Sequence, residues 1–177
     1  SRYTDPEFLQ LEKEMMWDKA WLYAGHTDQV PNPGSWFLTR NSGVPIIVAR
    51  NLQGEVKAFY NTCQHRGAPL VTEESGEGRG FVCGYHGWSY TLDGKLTAVR
   101  DKRDFVDFDM SCRSLVQVRC ELLGSLIFIN RDPDAQPLME HIGPMAEQLE
   151  QFELEKLRLV DSRSYEVDCN VKVLVDA

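Results

Sequence analysis

The hydrophobic rhythm of the chain changes twice. Near the start, Phe8, Leu11 and Met15 recur at helical spacing, and Trp17 and Trp21 add bulk. Thr4 or Asp5 offers a cap, Pro6 suits a first turn, Glu7 offers a capping-box partner and Gly25 reads as a stop. A helix is predicted over residues 5–25. Short apolar runs divided by turn residues follow. Residues 35–40 and 44–50 flank Asn41-Ser42-Gly43 as a hairpin, and residues 55–60 follow Asn51-Leu52-Gln53-Gly54. Residues 73–80 read as a polar, Gly-rich turn without the Lys-Ser/Thr pair of a phosphate loop. Phe81 and Val82 come next, and residues 89–92 with Asp93-Gly94 predict another hairpin. Residues 100–114 are charged, irregular and assigned to the surface, while 115–122 and 125–129 predict an antiparallel pair around Gly124. Beyond Pro133 and Pro137 the rhythm turns helical over 138–151, with a bend at Gly143-Pro144. It then alternates over 163–175, with Tyr165, Val167, Cys169 and Val171 on one strand face. The class is mainly β, with an N-terminal helix and a C-terminal helix-strand extension.

Composition narrows the functions. A chain of 177 residues holds one domain with an addition, or a domain and a fragment of another. Its net charge of −8 argues against a nucleic-acid partner. No apolar run approaches spanning length, so no membrane is expected, and no signal-peptide pattern opens the sequence. Cys112, Cys120 and Cys169 read as reduced, buried, small apolar residues, consistent with a cytoplasmic location.

The other two cysteines carry the chemistry. Cys63-Gln64-His65-Arg66-Gly67 and Cys83-Gly84-Tyr85-His86-Gly87-Trp88 each pair one thiol with one imidazole. Two Cys and two His can hold one zinc, but zinc fingers usually keep both Cys in one half and both His in the other. The mixed halves point to a two-iron cluster with two thiolates on one iron and two imidazoles on the second; a zinc-stabilised binding module is the competing reading. Replacing two thiolates by neutral imidazoles removes negative charge, so the potential should fall at about −150 to +300 mV rather than roughly −400 mV. It should also fall as pH rises, because oxidation acidifies ligated imidazoles. Gly67, Gly84 and Gly87 let the backbone approach such a cluster. His26 and His141 share no ligand spacing and read as structural or surface residues.

The two halves resemble the Rieske [2Fe–2S] motif in the version carried by alpha subunits of aromatic-ring-hydroxylating and related oxygenases. The resemblance extends to Trp21-Leu22-Tyr23-Ala24-Gly25-His26 before Val30-Pro31, to Phe59-Tyr60-Asn61, and to the stretch from Gly124 to Asn130. Respiratory-chain Rieske proteins staple the ligand loops with two further cysteines. Ala68 and Tyr85 stand at those positions here, so packing and hydrogen bonds must hold the loops.

The resemblance implies a Rieske fold of small stacked antiparallel sheets. Residues 31–135 would form that domain, after a helical arm (1–30) and before a linker helix and the first strand of a truncated catalytic domain (136–177). Asn170-Val171-Lys172 resembles the Asn-Trp-Lys that opens such a domain, with Val for Trp. Cys63 and Cys83 would bind one iron and His65 and His86 the other. Tyr85 and Trp88 would shield the cluster, with ordinary aromatic core as their plain alternative. Gly67 and Gly87 would sit beside it, and Arg66 would brace its loop or face a neighbouring subunit. The implied function is to pass electrons from NAD(P)H, through a reductase and/or ferredoxin, to a mononuclear non-haem Fe(II) that activates O2 for hydroxylation. That iron lies in the following domain, so no catalytic residue falls within this stretch. The implied assembly is an α3 homotrimer, with or without a beta subunit. A stand-alone Rieske-type ferredoxin is the alternative, opposed by the helix and tail that exceed what the cluster fold needs. The substrate is not written in this stretch.

Overall fold

The computed structural model describes residues 1–100 and 102–176. The strands are β1 (Leu22–His26), β2 (Ser35–Thr39), β3 (Ile46–Arg50), β4 (Val56–Tyr60), β5 (Ser75–Glu77), β6 (Gly80–Val82), β7 (Ser89–Thr91), β8 (Leu96–Ala98), β9 (Gln117–Leu123) and β10 (Leu126–Asn130). Seven form one antiparallel sheet in the order β1-β10-β9-β4-β3-β2-β5, and β6-β7-β8 form a second. The turns at 41–43 and 93–94 and the pair around Gly124 form as the sequence predicts.

β2 and β3 pair from Trp36–Ala49 to Thr39–Ile46, and β3 and β4 from Ile46–Tyr60 to Arg50–Val56. Side chains alternate along a strand, so Ile46 and Val48 enter one core while Ile47 and Ala49 enter the other. Burial on both faces explains why these strands read as continuous apolar runs. One core joins Phe37, Ala58, Val118, Ile127 and Ile129. The other lies between the sheets and joins Trp36, Leu38 and Phe59 to Phe81, Trp88, Tyr90 and Leu92. A buried polar tie crosses between the sheets: Asn51 Nδ2 donates to Asp93 Oδ1 and to Glu55 Oε2, each at 2.9 Å. Asn51 Oδ1 accepts from the backbone N–H groups of Gln53 and Glu55, so this amide is well satisfied.

Helix α1 (Pro6–Glu12) is capped by Asp5, whose carboxylate accepts from the backbone N–H groups of Glu7 and Phe8. It does not run to residue 25. It widens into a π-turn at Lys13–Trp17, and residues 22–26 are instead β1, paired with β10. Burial of Ala24 in the sheet core outweighs helical spacing, and distant side chains secure the break: Asn130 donates to the Lys19 carbonyl and Arg131 pairs with Asp18 at 2.6 Å. Three of the predicted stripe residues, Phe8, Leu11 and Met15, face outward.

Four further expectations are corrected. The polar connection at 73–80 contains β5, an edge strand paired with β2, because backbone groups pair whatever the side chains. The segment 102–114 is not simply surface, since Phe105, Phe108 and Met110 pack on the inter-sheet core. Arg163 to Val175 forms no strand: residues 157–170 are irregular and α4 (Val171–Val175) follows, with Asn170 accepting from Lys172 N. An alternating pattern needs a neighbouring strand to pair with, and none is supplied among the described residues. The expected helical stretch after Pro137 forms as α2 (Leu138–Ile142) and α3 (Met145–Glu150), broken at Gly143. Cys112 and Cys169 are exposed rather than buried, lying in segments outside the sheets, and Cys120 is half-buried on β9. Among the described residues no helix is long and apolar enough to cross a membrane.

Candidate metal centre

The two motif halves become two copies of one turn. In the first, Cys63 N donates to the Ala68 carbonyl at 2.8 Å and Gly67 N to the Cys63 carbonyl at 2.9 Å. In the second, Cys83 N donates to the Trp88 carbonyl at 2.8 Å and Gly87 N to the Cys83 carbonyl at 2.9 Å. Each turn closes on a glycine in the left-handed region, Gly67 at φ 74° and Gly87 at φ 70°, which a side chain would strain. The first loop follows β4 of the large sheet; the second joins β6 to β7 of the small one. Asn61 clamps the first loop by donating to the Val71 carbonyl and accepting from Leu70 N and Val71 N.

These loops bring all four expected ligands together. Cys63 and Cys83 are each 2% exposed, free thiols, and belong to the same buried inter-sheet cluster. The rings of His65 and His86 meet edge to face with centroids 4.5 Å apart. Burial pushes the Cys63 thiol above its ordinary value, and burial followed by the charges of His86 and Arg66 keeps His65 below its own. A neutral imidazole is the form that binds a metal.

His65 Nδ1 is buried without a hydrogen-bond partner. Buried polar atoms are normally paired, so a nitrogen left open beside two buried thiols fits a metal donor. Among the described residues no group of three or more His, Cys, Asp or Glu is placed to hold one metal ion. The two loops, each pairing one thiol with one imidazole, suit a binuclear cluster that takes two protein donors per iron better than a four-ligand zinc. The donor set therefore fits a [2Fe–2S] cluster.

The surroundings differ for the two histidines. Trp88, 2% exposed, stacks on His65 with centroids 4.8 Å apart and planes 11° from parallel. Tyr85 lies 3.9 Å from His86, centroid to centroid, but is 64% exposed, so of the two expected shields Trp88 is the buried one. Arg66 and Gly67 are exposed. His65, His86, Tyr85, Trp88, Arg100 and Phe105 line an open depression of about 310 Å³.

Sequence reasoning missed Tyr90, Phe105 and Phe108. Tyr90 OH lies 3.4 Å from Cys63 Sγ and accepts from Gln64 N at 3.1 Å. Burial, before any other cause, pushes its phenol far above the ordinary range. Alternation along β7 from Trp88 was the available signal for Tyr90. Neither of the other two histidines joins the site: His26 is buried on β1, where Nδ1 accepts from Asp28 N, and His141 is exposed on α2.

The Rieske [2Fe–2S] domain family matches residues 20–122. The chain is 35% identical over 139 residues to the anthranilate 1,2-dioxygenase large subunit of Acinetobacter baylyi, covering 78% of this chain and 30% of that one. A quaternary ammonium Rieske monooxygenase structure superposes with a TM-score of 0.91 at 30% identity, covering 98% of this chain and 48% of that one. A naphthalene 1,2-dioxygenase structure superposes at 0.77 with 35% identity, covering 83% and 34%. The chain thus spans between 30% and 48% of the lengths of these relatives. With more than half of its residues matched by the family and its four donors gathered on two equivalent loops, the chain belongs to the Rieske [2Fe–2S] domain family.

Proposed function

We propose that this chain is the electron-receiving part of a Rieske non-haem iron oxygenase alpha subunit. Cys63 and Cys83 hold one iron of the cluster and His65 and His86 the other, Trp88 and Tyr85 flank the histidines, and Arg66, Gly67 and Gly87 shape the loop edges. Bound there, the cluster supplies one-electron storage at a potential raised by its imidazole ligands. The single observation that carries the reading is the unpaired His65 Nδ1 beside two buried thiols on matched turns. Residues 1–30 serve as an arm, 31–135 as the cluster domain and 136–177 as the lead into a catalytic domain holding a mononuclear Fe(II) that activates O2. Electrons come from NAD(P)H through a reductase and/or ferredoxin, in the cytoplasm. The working assembly is a homotrimer, in keeping with the inter-subunit electron transfer described for the quaternary ammonium monooxygenase.

The competing carrier, a stand-alone Rieske-type ferredoxin, is disfavoured by a similarity to a quaternary ammonium Rieske monooxygenase that runs through 98% of the chain. The same observation bears on the substrate. The quaternary ammonium enzyme superposes over the tail as well as the sheets, whereas the naphthalene enzyme covers 83% of the chain. The substrate site itself belongs to the following domain, so relationship alone makes a small quaternary ammonium compound the proposed substrate class.

Anaerobic reconstitution with iron and sulfide tests the centre. A red-brown chain with about two irons and two sulfides is expected, losing its colour in Cys63→Ser and Cys83→Ser. A colourless chain that takes up a single zinc sinks the proposal. Oxygen consumption by the full-length protein with carnitine or glycine betaine, against naphthalene, tests the substrate class. Turnover of naphthalene alone refutes it.

A further inference from the structure

Within residues 100–114, which the sequence assigns to the surface, the described stretch 102–114 delivers two rings to the metal centre. A short 3-10 turn, Lys102–Asp104, leads into Phe105, and a second, Met110–Arg113, follows Phe108. Asp109 caps the second turn, its carboxylate accepting from Ser111 N at 2.8 Å. Between the turns Asp107 takes φ 50°, a reversal rare for a residue with a side chain. The reversal sits between the two phenylalanines, and both pack on the inter-sheet core.

Their contacts converge on one histidine. Phe105 meets His65 edge on at 6.1 Å and Trp88 at 6.1 Å; Phe108 meets Trp88 edge on at 5.4 Å; the two phenylalanines lie 5.1 Å apart. Trp88 in turn lies flat on His65. Such edge and offset contacts are the favoured geometries for aromatic pairs. His65 Nδ1 makes no hydrogen bond. Packing rather than hydrogen bonding therefore sets which way this nitrogen points. His86 has ring contacts with Tyr85, largely open to solvent, and with His65.

We propose that Phe105 and Phe108 are positioning residues for the metal centre: acting largely through Trp88, they fix the His65 ring in its ligating orientation and keep water from that side of the site. The inference rests on the cluster reading above and deepens it. Its consequence is selective. Disturbing the two phenylalanines alters one of the two histidine ligands and leaves the other as it was.

The test uses the cluster-bearing 177-residue chain, reduced by one electron, and reads the two ligating nitrogens by pulsed electron paramagnetic resonance together with the rate of bleaching by an iron chelator. Phe108→Leu and Phe105→Leu keep apolar volume but remove the ring. Each is expected to shift one nitrogen coupling, leave the second unchanged and bleach about tenfold faster, whereas Phe108→Tyr behaves as the parent chain. If a leucine variant does not accumulate, Trp88→Phe carries the test, since a smaller ring on His65 with less reach toward Phe108 must move the same single coupling. Couplings that stay put in these variants, or that move together, overturn the proposal. Failure of the parent chain to give any two-nitrogen signal overturns instead the metal-centre reading beneath it.

Discussion

At the scale of single residues, the hydroxyl of Tyr90 bears directly on redox behaviour. With Cys63 bound to the cluster as proposed, its sulfur would be the acceptor in the contact with Tyr90, and a hydroxyl donating to it would favour the reduced state. Removing it in Tyr90→Phe should lower the potential by on the order of 40 mV, the one-electron equivalent of a hydrogen bond worth roughly 1 kcal/mol. A redox titration followed by circular dichroism measures this, and a rise in potential contradicts it. The five cysteines give a second residue-scale expectation. Cys112 and Cys169 are exposed, whereas desolvation pushes Cys120 up to about 12 and Cys63 and Cys83 are sealed in the core. A thiol reagent at pH 8 should therefore modify two cysteines quickly in the native chain and the remaining three after denaturation. Fast reaction of Cys120 would show that β9 is less well packed than described.

At the scale of elements, β4 couples the inter-sheet core to the first ligand loop. Phe59 is 1% exposed in the inter-sheet core, and its strand runs directly into the first ligand loop. Phe59→Ala should cost about 3–5 kcal/mol in urea unfolding. That is a large share of the roughly 5–15 kcal/mol that keeps a domain folded. Much at this scale was legible in the sequence. Asn41-Ser42-Gly43 and Asp93-Gly94 name their hairpins because turn chemistry is local, and the family shows through two motif halves because each is short. What escaped depends on distant partners. Residues 22–26 keep a helix-like spacing after Trp17, and their strand state comes from β10, about a hundred residues away. The alternation of Tyr165, Val167 and Cys169 promises a strand that no neighbour completes. Phe105 and Phe108 reach the centre by folding rather than by motif, so no spacing rule marks them, whereas Tyr90 could have been found by alternation from Trp88.

At the scale of the whole molecule, the two ends of the chain meet. Lys172 pairs with Glu12 at 2.6 Å and lies over the rings of Tyr3 and Phe8, and the Tyr3 hydroxyl donates to Asp176. The contact is peripheral to both cores, so Lys172→Ala should cost about 1 kcal/mol and lower Tm by roughly 2–4 °C. Trypsin cleavage after Arg158 and Arg163 should accelerate severalfold in the variant while the sheets stay intact. An unchanged digestion pattern would show that the clasp does not restrain the tail. The larger connection lies elsewhere. One donor pair rides on the seven-stranded sheet and the other on the three-stranded sheet, so any cluster seated between them is also a rivet. Iron supply would then govern stiffness as well as reactivity, by adding a second clamp at the loop end of a seam that the inter-sheet core and the Asn51–Asp93 tie already close.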